Sequence, residues 1–309
     1  MSATPMSATR AQIAFLQDQR RLHLHDGPID LIVEAFGDPG EILIAYEAAA
    51  KRFVSVLDEL CDELPLLRQP ATRDSSLPHR PIARRMMLAV KPYAEVTFIT
   101  PMAAVAGAVA EDILLSMTRA ADLARAYVNN GGDIALHLNP GERLIAGAAE
   151  TAESIAGDVG VLAGSGQQLF ATTTIDSEMP VRGIATSGWS GRSFSLGIAD
   201  AVTVLAKTAA MADAAATIIA NAVDLPGHPS VIRVPATELA PDSDLGTRFV
   251  TQHVGHLSAK EIDSALDAGS VVAESLAFRG LIHSAALHLQ GQTRIAALDA
   301  QNCGGLLHA

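Results

Sequence analysis

A helix in which every second residue on average is alanine limits this chain more than any other segment: residues 208–223 read TAAMADAAATIIANAV. Methyl side chains give such a helix little bulk, so it belongs in a closely packed interior of helices against sheet. Thr208 is placed to cap it, and Asp224-Leu225-Pro226-Gly227 to close it. Ahead of it, Asp200 to Ala206 reads as a buried strand. Within the helix, Asp213 and Thr217 stand four residues apart, so a carboxylate and a hydroxyl share one face with almost no side-chain bulk between them. A phosphate-bound magnesium ion would suit that face. The ordinary alternative has Asp213 favouring the positive end of the helix dipole, and Thr217 bonding back to the carbonyl four residues earlier. Both readings stay open at this level.

The composition agrees with close packing: 49% of residues are hydrophobic but only 4% are aromatic. A net charge of −12 disfavours general binding to nucleic acid or to an anionic membrane, while leaving room for a local basic pocket. Cys61 and Cys303 are the only cysteines, which gives neither a disulfide framework nor a Cys/His metal spacing. Residues 1–21 carry no apolar core of a secretory signal, and Asp200, Lys207 and Asp213 interrupt the apolar run from Ala199 to Val223. A cytoplasmic location without membrane association is expected.

Residues 1–20 read as a flexible arm and residues 21–309 as a single unit or two intertwined lobes. Leu22 to His25 and Ile29 to Phe36 form an expected hairpin across Asp26-Gly27-Pro28. Gly40 to Leu64 has helical periodicity, and the proline-bearing stretch 65–81 reads as a loop. Ala94 to Ile99 is an expected short strand. Thr100 and Pro101 then open an alanine-rich helix to about Leu115, with Leu123 to Tyr127 continuing helical. Strands are expected at Asp133–Leu138, Arg143–Ala148, Gln168–Thr174, Val231–Val234, Arg248–His253 and Leu281–Leu289, with a helix capped by Ser258 over Ala259–Phe278. Strands and helices mix without βαβ alternation, which predicts an α+β fold of mixed sheets packed against alanine-rich helices.

Two loops accompany the Asp213–Thr217 face. Asn129-Asn130-Gly131-Gly132-Asp133 has two glycines that let backbone approach a ligand, though a plain tight turn explains it equally well. Thr186-Ser187-Gly188-Trp189-Ser190-Gly191-Arg192-Ser193 is dense in hydroxyls and carries one guanidinium, as phosphate-binding loops and ordinary turns both do. Trp189 is the sole tryptophan, open to ring stacking or to core packing. Gly164-Ser165-Gly166 lacks the continuation of a dinucleotide fingerprint. His23 with His25, and His253 with His256, are pairs without a third metal ligand in view.

In order and spacing, Met102–Gly107, Val128–Ile134, Ala185–Gly188 and Ala212–Thr217 resemble the FAD:protein FMN transferase (ApbE-like) superfamily. Gly27–Asp30, Tyr127–Leu138 and Gly191–Asp200 are similar to an uncharacterised ApbE-like branch over nearly the full length. The resemblance implies a bilobed fold that binds FAD or FMN with Mg2+, moving FMN to a threonine of an acceptor protein or hydrolysing FAD to FMN and AMP. It places Asp213 and Thr217 as magnesium ligands, with a carbonyl of Ala103 or Ala104. It puts Thr186, Ser187 and Gly188 against the flavin, beside Arg192 and the turn Asn130, Gly131, Gly132 and Asp133. The chain departs from the family at Ala106, where a lysine is usual, and in lacking the histidine-bearing segment before the second motif helix. Those departures leave room for two alternatives. One is an enzyme on the same scaffold for a small anionic metabolite clamped by Arg192 and Arg182; the other is a non-catalytic flavin-binding accessory protein. A homo-oligomer is compatible with each.

Overall fold

The computed structural model describes residues 10–149, 153–157 and 169–297. Three strands open the fold: β1 (Gln12–Phe15), β2 (Leu22–Asp26) and β3 (Ile29–Gly37). Helices α1 (Pro39–Phe53), α2 (Val56–Leu67) and α3 (Pro81–Val90) follow, and a 3-10 turn at Pro101–Ala104 leads into α4 (Val105–Ala120). Strands β4 (Leu123–Asn130) and β5 (Asp133–Leu138) form a hairpin. Next come β6 (Arg143–Ala149), β7 (Glu153–Gly157) and β8 (Leu169–Asp176), a separate three-stranded sheet. The chain returns through β9 (Gly183–Ser187), β10 (Ala201–Ala206) and α5 (Ala209–Ala222). After β11 (Val231–Pro235), α6 (Ala236–Leu239) and β12 (Phe249–Val254), it ends in α7 (Ala259–Phe278), β13 (Ser284–Leu289) and β14 (Gln292–Ala297).

The main sheet has nine strands in the order β1-β2-β3-β4-β5-β9-β10-β13-β14. The class is α+β as expected. The mixed sheets are not seen: every pairing among the described residues is antiparallel. Hairpins and meanders make antiparallel pairs, and here the crossovers over helices also return on the antiparallel side.

One face of the sheet carries the helices. Leu24, Leu31, Val33, Val128, Ala185 and Val204 pack there against α1, α4 and α5 in the principal core. The other face carries a second core, in which Tyr127, Ile134, Leu136, Ile184 and Leu205 meet Leu144, Ala146 and Ile175 of the small sheet. Alternation along each strand sends successive side chains to these two cores.

The alanine helix behaves as its composition demands. A Cβ on Gly107 in α4 would lie 2.5 Å from the Ala209 carbonyl carbon and 2.7 Å from Ala210 N. Glycine at Gly183 is needed equally, because a Cβ there would collide with the Thr208–Ala209 backbone. So α5 starts wedged between α4 and β9, backbone against backbone. Thr208 caps it by accepting from Met211 N at 3.3 Å, and Glu111 of α4 accepts from Ala210 N at 2.8 Å. Ser258 and Glu261 form a reciprocal capping box at the start of α7.

Several elements differ from the sequence expectation. Leu123–Tyr127 is strand, because α4 stops at Ala120 and Ala121 is extended at φ −142° and ψ 152°. Ala94–Val96 is a turn and 97–99 is irregular: Val96 N and Thr97 N both bond the Tyr93 carbonyl, so no ladder forms. The long helix over 40–64 is two helices, α1 and α2, and Pro65 lies in the last turn of α2. Residues 68–80 form the irregular connection to α3, a helix the proline-rich sequence concealed. Gln12–Phe15 of the expected arm pair with β2 as the sheet's edge strand. The stretch Pro101–Ala120 has the length and mean hydropathy, 1.3, of a membrane span, but its apolar side chains serve the principal core.

Candidate functional site

The start of α4 gathers most of the residues singled out by sequence. Asp213 Oδ2 accepts from Gly107 N at 3.0 Å, and the Ala106 N–H supports the same carboxylate. Asn130 Nδ2 donates to the Ala106 carbonyl at 3.2 Å. The carboxylate of α5 and the amide of β4 thus grip the Ala106–Gly107 peptide unit by its N–H and its carbonyl, at a helix end where orphan N–H groups favour negative charge.

The turn between β4 and β5 supplies the second carboxylate. Gly131 and Gly132 have φ of 62° and 107°, a backbone that only glycine adopts without strain, and Asn129 Oδ1 closes the turn on Gly132 N at 2.8 Å. Asn130 and Asp133 are register partners, so both fall on the helix side of the sheet. Asp133 Oδ1 accepts from Thr186 N at 3.2 Å. Arg192 lies over the turn: a Cβ on Gly131 would come 3.3 Å from its Cζ, and its Nη2 donates to the Pro28 carbonyl at 3.1 Å.

Both carboxyl groups are pushed above the ordinary aspartate range. Burial raises Asp213 to about 7, against the opposing pull of the Gly107 and Ala106 N–H groups. Burial also raises Asp133, and the neighbouring charge of Asp213 adds to it; the Thr186 N–H and Arg192 act the other way. Among the described residues neither aspartate has a salt bridge. Two partly buried, mutually repelling carboxyls with so little counter-charge are set to receive a proton or a cation.

Thr217 lies one turn beyond Asp213 on the same helix and is partly exposed. Among the described residues its hydroxyl makes no hydrogen bond, so the back-bond to the carbonyl of residue 213 is not formed. The hydroxyl is left available. Ala103 and Ala104 lie in the 3-10 turn just before Gly107, and Ala104 leaves the helical region at φ −134° and ψ 14°. Their carbonyls therefore belong to the same end of α4 as Asp213. Among the described residues no three His, Cys, Asp or Glu side chains are grouped for a metal. A cation at Asp213 would need hydroxyl, carbonyl or ligand oxygens, which magnesium accepts.

The hydroxyl loop is split by the sheet. Thr186 sends its side chain to the far face, where Oγ1 bonds Thr203 Oγ1 at 2.8 Å, so only its N–H reaches the site. Ser187, one residue on, shares the helix-side face with Ala185. Gly188 packs on Asp200, whose carbonyl a Cβ would strike. Trp189 is fixed by donation from Nε1 to Asp200 Oδ1 at 2.8 Å and meets the edge of His253, which settles it as a packing residue. Arg182 and Arg192 do not converge. Arg182 stands just before β9 and bonds the carbonyls of Met179, Val181 and Ser177 at 2.8, 2.6 and 2.8 Å, whereas Arg192 follows the other end of that strand. His23 finds Asp30 at 2.6 Å on the sheet face away from the site. Gly164-Ser165-Gly166 and Cys303 lie outside the described residues.

Sequence reasoning missed the pairing of Asp133 with Asp213 and the role of Glu111. The first follows from placing the turn opposite the alanine helix; the second has no local signal, since Glu111 acts across 99 residues of chain.

The fold and site define an antiparallel α+β protein whose helix layer holds two aspartates at a glycine turn and a helix end. A family model described as AbpE bacteria matches residues 13–295, and the chain belongs to that family. A UPF0280 protein of Methanothermobacter thermautotrophicus is 36% identical over 153 residues, covering 49% of this chain and 52% of the relative. Another, from Methanothrix thermoacetophila, is 37% identical over 145 residues, covering 46% and 52%. The matches span about half the length of these curated relatives. Among solved structures, the flavin transferase ApbE from Vibrio cholerae aligns over 93% of this chain and 97% of its own, at 14% identity and a TM-score of 0.36. A likeness that slight bears no weight for fold or function.

Proposed function

We propose that the α4–α5 site binds the diphosphate of a flavin dinucleotide together with a magnesium ion, and that FAD is split there into FMN and AMP. The observation that carries this reading is the state of Asp213. Its carboxylate is buried against the start of α4, faces no basic partner among the described residues, and has the free hydroxyl of Thr217 one turn away. Such a donor set fits a hard divalent cation that keeps some of its ligands as phosphate or water oxygens. The motif resemblance around Val128–Ile134, Ala185–Gly188 and Ala212–Thr217 supports flavin as the nucleotide.

A magnesium ion would supply charge neutralisation of the diphosphate and polarisation of the phosphorus under attack. The chain's own residues hold the components. Asp213, Thr217 and a carbonyl of Ala103 or Ala104 would orient the ion. Arg192, set over Gly131, would face the phosphate edge of the turn, and Ser187 with Gly188 would border the ring. One phosphoanhydride P–O bond breaks and AMP leaves. The new bond goes to a water oxygen, giving FMN, or to a threonine hydroxyl of an acceptor protein, giving its FMN ester; the proton released passes to solvent.

Incubating the full chain with FAD and MgCl2, with and without a threonine-bearing acceptor peptide, and resolving nucleotides by chromatography tests the proposal. FMN or flavinylated peptide with equimolar AMP is expected, lost in Asp213→Ala. Absence of AMP in both reactions refutes the reaction. Tight FAD binding without turnover would point to an accessory flavoprotein.

A further inference from the structure

We propose that a second cleft, at the opposite end of β5 and β9 from Asp133, binds a compact dianion: a phosphate monoester or a dicarboxylate. The cleft is open to one side and holds about 320 Å³ between α4, β5 and the start of α5, lined by Arg85, Arg182, Lys207, His137 and Glu111 with Leu114 and Leu115 as its apolar part. That volume lies at the small end of ligand sites, of the order of 300–1,000 Å³.

Charge distinguishes it from the rest of the molecule. The chain as a whole carries −12, yet three cations line this one cleft against a single carboxylate, Glu111. Arg85 is paired, with Nε 2.7 Å from Glu111 and Nη1 3.4 Å from Asp112. Arg182 and Lys207 have no carboxylate partner among the described residues. Three backbone carbonyls hold the Arg182 guanidinium rigidly through Nη1 and Nη2, while Nε–H and one Nη2–H have no acceptor there. Lys207 is exposed and stands directly before Thr208, the cap of α5. A guanidinium held by three carbonyls and an exposed ammonium in one concave cleft focus potential on a doubly charged anion. Leu114 and Leu115 offer apolar contact to a short carbon skeleton beside the charged groups.

The cleft is separate from the flavin reading and does not depend on it. Thr208 precedes Asp213 by five residues of one helix, roughly 7.5 Å along its axis. Occupancy of the cleft would therefore touch the same helix that carries Asp213 without sharing a side chain with that site.

Isothermal titration of the full chain with glycerol 3-phosphate and, separately, with succinate tests this. Saturable one-to-one binding of either is expected, weakened about tenfold or more in Lys207→Glu, because two charge units change beside a dianion. Lys207→Arg restores it, and Asp213→Asn leaves it unchanged. Response to glycerol 3-phosphate alone assigns a phosphate monoester, and response to succinate alone assigns a dicarboxylate. No saturable heat with either, or equal affinity in Lys207→Glu and the parent, overturns the proposal. FAD binding followed in the same variants stays intact in Lys207→Glu, so failure here is distinguishable from failure of the flavin site.

Discussion

Replacing Gly107 by alanine puts the architecture of the site to a direct test. Gly107 lies inside α4, so on helix propensity alone Gly107→Ala should stabilise by about 1 kcal/mol. The structure predicts the opposite sign. The new Cβ would stand 2.5 Å from the Ala209 carbonyl carbon and 2.7 Å from Ala210 N. Carbon contacts become favourable only near 3.5–4.0 Å, so the two helices must part by roughly 1 Å. The obstacle is backbone, which has no rotamer to yield. Overpacking therefore costs about 3 kcal/mol, the upper part of its usual range. The net expectation is destabilisation by about 2 kcal/mol, or roughly 4 °C in Tm for a chain of this size. Urea denaturation followed by Trp189 fluorescence and by far-ultraviolet dichroism measures it. Since Gly107 N also holds Asp213, magnesium-dependent FAD affinity should fall in the same variant. A Gly107→Ala protein as stable as the parent would refute the reasoning, because α4 and α5 would then not be in backbone contact.

Two other variants probe the carboxylate and the hydroxyl. Asp213 titrates near 7 in the fold against 3.8 for the ordinary group, so the folded chain binds more protons between about pH 4 and pH 7. Its contribution favours the fold at the acid end and is lost as pH rises through that window. Asp213→Asn should thus gain stability relative to the parent from pH 4.5 to pH 8 in metal-free buffer, and parallel urea midpoints across that range would contradict this. Thr217→Val should leave Tm within about 1 °C, since no protein bond to the hydroxyl is lost, while weakening magnesium-dependent FAD binding about tenfold. A large stability loss without an affinity change would assign Thr217 to packing.

What the sequence makes legible is whatever has a local cause. The α5 cap at Thr208 and the α7 cap at Ser258 are both readable, because side-chain oxygens at helix starts act within three residues. Leu123–Tyr127 failed for the converse reason. As part of a central strand it is buried on both faces, with Ala126 in one core and Tyr127 in the other, so no period-two signal survives. The prolines around residues 65–81 hid α3, although Pro81 fits the first turn of a helix. Around the β4–β5 turn the sequence does not say which part of a residue points where: Thr186 turns its hydroxyl to Thr203 on the far face and its N–H to Asp133. Strand phase decides that, and phase follows from partners far away in sequence. Asp133 meeting Asp213 is likewise a tertiary fact.

The excursion from β5 through β6, β7 and β8 to β9 leaves the main sheet and returns beside its point of departure, since Ile134 pairs directly with Ile184. Topologically it is an insertion: the nine-stranded sheet and the helix layer close without it. Energetically it is not optional. Ile134, Leu136, Ile184 and Leu205 would lose their cover, at roughly 1.5–3 kcal/mol for each large side chain returned to water. A chain of this kind trimmed at the excursion would have to roof that wall with something else, a neighbouring copy included. The two sides of one sheet thus answer to different pressures: the helix side must keep its backbone spacings to the ångström, while the other needs only a greasy cover of the right area.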